Sequence, residues 1–175
     1  MKTSISNFLL LVAIVFSNTV LAQISKKTIK ESTIGNATYV IKQWGDNKSN
    51  IENKNGNWDK VKKMETKICD GNPILNEQTI SNELNSIVRN IFSADRIKQL
   101  SNDNKNSFVI MCYCKRSGEI SAINFTGVNT STISMEEIKA LEDAVLKIKF
   151  KWDSSVCPDV NYINYNLPIG FKKYL

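Results

Sequence analysis

Residues 133–171 read ISMEEIKALEDAVLKIKFKWDSSVCPDVNYINYNLPIGF, a capped amphipathic helix followed by a long alternating strand around which the rest of the chain is organised. Ser134 and Glu137 form an S-x-x-E capping box, with Ile133 and Ile138 spaced for the hydrophobic staple that fixes a helix entry. Ile138, Leu141, Val145 and Ile148 follow as an apolar stripe, while Glu136, Lys139, Glu142 and Lys147 lie away from it. Residues 149–152 leave the helix extended, and 153–159 form a loop holding Cys157 and Pro158. The chain then alternates. Ile163, Tyr165, Leu167, Ile169 and Phe171 share one face. Tyr162, Asn164, Asn166, Pro168 and Gly170 share the other, which is polar or small enough to meet solvent. Pro168 has no amide to give a ladder, which puts that end of the strand on a sheet edge.

Working back, residues 108–125 read as two strands joined at Ser117-Gly118. Phe108, Ile110, Cys112 and Cys114 line one face of the first; Val109, Met111 and Tyr113 line the other. Ile120, Ile123 and Phe125 carry the return strand, and their uneven spacing predicts a bulge near Ser121-Ala122. Before them, Ser81 is a candidate N-cap for a helix with Leu84, Ile87, Val88, Ile91 and Phe92 on one face. Ser93 caps a shorter helix whose Ile97 and Leu100 point inward.

The earlier part is less regular. Residues 38–44 alternate as a strand, with Tyr39, Ile41 and Gln43 on one side. Residues 45–57, rich in Asn, Lys, Asp and Gly, read as a solvated loop. Residues 58–68 fit either a helix or a strand, and a strand pairing with 38–44 is expected; 70–73 form a turn. Residues 23–34 are polar and expected to fray.

The first 22 residues have the features of a secretory leader: Lys2, an apolar run over 8–16, and small residues up to Ala22. The run is too short to cross a hydrocarbon core of about 30 Å. The expectation is an exported protein, periplasmic or secreted, cleaved after Ala22 and not membrane-spanning afterwards. The net charge of +6 is carried by scattered lysines, among them Lys62, Lys63, Lys149 and Lys151. They form no stripe with interleaved aromatics, so nucleic acid is not an expected partner.

The cysteines Cys69, Cys112, Cys114 and Cys157 are disulfide candidates in an exported chain and allow several pairings. Cys112 and Cys114 lie two apart on one strand face, so a direct bond would distort the strand. Cys157 or Cys69 is the better partner for either. The chain has no histidine and no C-x-x-C pair, so neither a metal site nor another cofactor is expected. The same lack excludes Ser-His and Cys-His dyads within the chain. Carboxylates at Glu136, Glu137, Glu142, Asp143, Asp153 and Asp159 leave a carboxylate-dependent hydrolase as the catalytic alternative. The first four read better as helix-terminal and surface charges.

The order helix, strand, turn, strand, helix, strand over residues 81–175 resembles the C-terminal domain of TonB-like energy-transducing proteins. The likeness is carried by Ile110 to Cys114 leading to Ser117-Gly118-Glu119-Ile120, by the helix over 135–147 running into Ile148-Lys149-Phe150, and by the closing Leu167-Pro168-Ile169-Gly170-Phe171. It implies an α+β fold: a small three-stranded antiparallel sheet with two main helices on one face. An N-terminal extension with a β-hairpin, residues 23–80, would precede it. The resemblance also implies that Asn161, Tyr162, Ile163, Asn164, Tyr165 and Asn166 form an edge able to accept a guest strand from an envelope protein by β-augmentation. The chain differs from the transducers in its cleavable leader and in lacking a Pro-rich spacer. That points to a non-catalytic interaction module without energy transduction; a structural or accessory envelope protein is the alternative.

Overall fold

The computed structural model describes residues 29–45, 47–64, 73–153 and 155–175. The expected leader, Cys69 and most of the expected turn at 70–73 lie outside the described residues. The strands are β1 (Ile29–Ile34), β2 (Ala37–Gln43), β3 (Lys48–Asn53), β4 (Phe108–Lys115), β5 (Ile120–Asn129) and β6 (Tyr162–Ile169). The helices are α1 (Trp58–Met64), α2 (Glu77–Ile91), α3 (Ala94–Ser101) and α4 (Met135–Val145).

All six strands form one sheet in the order β1-β2-β3-β5-β4-β6, and every neighbouring pair is antiparallel. The expected three-stranded sheet is therefore corrected to six strands. The hairpin expected in the extension is continuous with that sheet, because β3 pairs with β5. Three readings fail here for related reasons. Residues 29–34 are a strand, residues 48–53 are a strand within the expected loop, and residues 58–64 are a helix. β3 carries a single large apolar residue, Ile51, so nothing local marks it. Ile51 is fully buried, and β3 is held by ladders on both sides. Tertiary pairing overrides weak propensity. α1 forms because Trp58 and Val61, three apart, bury together.

The helices also depart from two on one face. The buried residues of α2, α3 and α4 join one core with Phe108, Ile110, Cys112 and Cys114. Trp58 and Val61 of α1 pack on Tyr113 and Ala122, side chains of the opposite face. α2 begins earlier than Ser81, with Asn76 in the cap position. Ile80 is buried and extends the stripe of Leu84 and Val88 by one turn. Asn76 is held there by the chain after α4: Nδ2 donates to the Lys149 carbonyl at 3.0 Å and Oδ1 accepts from the Lys151 amide at 2.7 Å.

Other local readings hold. The Ser134/Glu137 capping box forms in full, and Ser93 accepts from the Arg96 amide at 3.2 Å. Tyr113 pairs with Ala122 but Cys114 with Ile120, which leaves Ser121 as the bulge. A second irregularity leaves Gly127 without a partner on β3; its φ of 80° is a glycine conformation. At the β4–β5 turn, Gly118 has φ 83° and lies against the extended 149–151 segment. Its carbonyl accepts from the Phe150 amide at 2.8 Å.

Candidate interaction edge

The chain places its closing strand at the rim. Among the described residues β6 pairs with β4 alone, from Phe108↔Ile169 to Lys115↔Tyr162. Pro168 stands opposite Val109. A proline leaves the ladder intact only where its nitrogen faces away from the neighbouring strand. In an antiparallel pair the N–H and C=O of one residue face the same side, and the side alternates. The amides and carbonyls of Asn166, Asn164 and Tyr162 therefore face outward with Pro168.

The side chains fix the strand without covering that rim. Ile163, Leu167 and Ile169 are buried in the core. Tyr165 packs edge-on to Phe150, with ring centroids 5.2 Å apart. Its hydroxyl donates to Glu77 Oε1 at 3.1 Å. Burial, then the Glu77 carboxylate, push the Tyr165 phenol up to about 12. On the other face Tyr162 packs with Trp58 and Tyr113, while Asn164 and Asn166 are exposed. Asn161 lies just before the strand. The loop leading in is held by Arg116, which donates to the carbonyls of Val160 at 2.8 Å and Cys157 at 2.9 Å.

Charges and prolines at an edge discourage unwanted strand pairing. β1, at the other end of the sheet, carries Lys30 and Glu31 side by side. β6 has no charged residue, and its proline comes only at position 168. The run from Tyr162 to Leu167 is unguarded in this sense.

The candidate carboxylates are dispersed among separate contacts. Glu137 closes the capping box and binds Arg96 two-pronged, Nε to Oε1 at 2.8 Å and Nη2 to Oε2 at 3.1 Å. Asp143 pairs with Lys139 at 2.6 Å. Asp153 accepts from the Ser155 hydroxyl at 2.6 Å and amide at 2.9 Å, and these bonds hold its carboxyl below the usual range. Glu136 lies in the first turn of α4 and Asp159 is exposed. Glu142 corrects the sequence reading. It is buried, and its Oε2 accepts from the Tyr39 hydroxyl at 2.5 Å and from Asn53 Nδ2 at 3.2 Å. Burial first, then Glu142, raise the Tyr39 phenol far above its ordinary range. The signal was available: Glu142 follows Ile138 by four and precedes Val145 by three, so it falls on the apolar stripe.

Cys112 and Cys114 are free, buried thiols, which corrects the pairings that gave either of them a disulfide. Cys157 is disulfide-bonded. Among the described residues no group of three or more His, Cys, Asp or Glu side chains could hold a metal ion. No helix there is long and apolar enough to cross a membrane.

No protein-family model and no curated protein matches the chain. Among solved structures, a DUF5043 family protein from Bacteroides uniformis is similar. Its TM-score is 0.62, its sequence identity 16%, and the match covers 82% of this chain and 92% of that chain. The likeness is one of fold. A match over 82% of this chain extends beyond residues 81–175.

Proposed function

We propose that this is an exported, non-catalytic interaction module of the periplasm or cell exterior, and that β6 accepts a guest strand from an envelope protein. The observation supporting this is an edge strand with outward amides at Tyr162, Asn164 and Asn166 and no charge to repel a partner. The resemblance to TonB-like domains supplies the mode of pairing. Each main-chain bond to a guest contributes about 1 kcal/mol net, and association itself is costly. Selectivity therefore comes from the side chains beside the rim, Asn164 and Asn166 on one face and Tyr165 on the other.

The test uses Asn164→Pro. It removes an outward amide and, like Pro168, leaves the β4 ladder intact. Protein recovered from envelope extract should bring down the same partner as wild type when Asn164 is alanine and lose it when Asn164 is proline. The unfolding midpoints of the two variants should agree. A partner retained by Asn164→Pro, or no specific partner at all, would favour an accessory protein without a defined ligand.

A further inference from the structure

At the opposite end of the sheet from β6, a recess of about 240 Å³ lies between β1–β3 and the start of α4. We propose that it binds a small organic anion, a carboxylate with a short apolar body. Ile41, Ile133 and Met135 form apolar walls, and Lys30, Gln43 and Thr130 add polar groups. Lys30 is the one charged residue of the lining, and no acidic side chain contributes to it.

Two independent features point to an anion. One is the α4 N-terminus. The capping box occupies the amides of Ser134 and Glu137 and leaves first-turn donors such as Met135 without an intrahelical partner. The peptide dipoles there favour negative charge. Glu137, the capping carboxylate, is already neutralised by Arg96. The other is Ser49 in the floor of the recess. It is fully buried, and its Oγ has no hydrogen-bond partner. Ser49 pairs with Gln43 across β2 and β3, so both side chains share the face toward α4. A buried hydroxyl without a partner is unfavourable and calls for an explanation. A ligand oxygen seated above it would supply the missing acceptor, with the apolar body between Ile41 and Met135. The volume is below that of most ligand pockets, so the occupant is small.

The test is a titration of the purified, isotope-labelled protein, followed by amide NMR, with butyrate, inorganic phosphate and 1-butanol as separate probes. Butyrate should give saturable shifts at Ser49, Thr130 and Met135 in the millimolar range expected of so few atoms. Ser49→Ala and Lys30→Gln should each weaken it by about fivefold or more. Lys30 is exposed on the edge strand, so that variant reports even if Ser49→Ala disturbs the fold. Butyrate without saturable shifts overturns the proposal. So does butanol binding as well as butyrate, phosphate binding more tightly, or affinity unchanged in both variants. None of these outcomes depends on β6.

Discussion

Gly118→Ala isolates one contact between the β4–β5 turn and the chain after α4. A Cβ built at Gly118 would lie 2.0 Å from the Phe150 carbonyl oxygen and 3.1 Å from its carbon. Backbone cannot yield as a flexible side-chain tip can, so residues 149–151 must move. Three losses follow. Positive φ at a residue with a Cβ costs about 1–2 kcal/mol. The Phe150-to-Gly118 hydrogen bond, with the neighbouring Glu119↔Lys149 bridge, accounts for about 1 kcal/mol. Partial release of the buried Phe150 ring from Tyr165 adds about 1–2 kcal/mol. The total is about 3–5 kcal/mol, in the range reserved for breakage of a specific structural feature. Gly127→Ala is the control. Its φ is nearly the same, 80°, but nothing lies within 4 Å of the added Cβ, so only the backbone cost of about 1–2 kcal/mol remains. Urea unfolding followed by tryptophan fluorescence measures both. Equal losses, within about 0.5 kcal/mol, would refute the contact at Phe150 and assign the whole effect to backbone conformation.

Two further perturbations address buried polar groups. Burial raises the Cys114 thiol from 9.0 to about 12 and pushes Cys112 well above 9.0, with Cys114 beside it adding to the shift. The folded state holds these protons more tightly than the unfolded chain. Their contribution is full below pH 9 and is lost as pH rises toward the folded values. Between pH 8 and 10 each thiol should cost about 1.4 kcal/mol of stability; unfolding midpoints in the Cys112→Ala/Cys114→Ala double variant should fall less steeply over that interval, and an unchanged slope counts against the assignment. Tyr39→Phe removes a donor 2.5 Å from the buried Glu142 carboxylate and should cost about 1.5–3 kcal/mol in urea unfolding. Combining it with Glu142→Gln should cost less than the two single losses together, and strict additivity would show that the pair does not interact.

Elements whose signals are local could be read from the residues alone. The capping box at Ser134 and Glu137 needs only residues three apart, and the helix it starts lies where the spacing puts it. β6 was legible because its alternation is long, and Pro168 marked it as an edge strand from chemistry alone. The bulge at Ser121 followed from a break in a two-residue period. The rest depended on partners distant in sequence. β3 is a strand because β2 and β5 flank it, although five of its six residues are polar. Pairing with β2 makes a strand, β1, of a segment whose own sequence reads as frayed, and the joined ladders make one sheet of six strands. The recess has no local signature in the sequence, because Lys30 and Ser49 lie in polar segments without strand periodicity. They meet Met135 only when the sheet closes against α4. Glu142 shows both limits, since its place on the stripe could be counted, but the Tyr39 hydroxyl that makes its burial tolerable comes from 103 residues away. Local periodicity fixes which way a side chain faces, and only long-range packing decides what it faces.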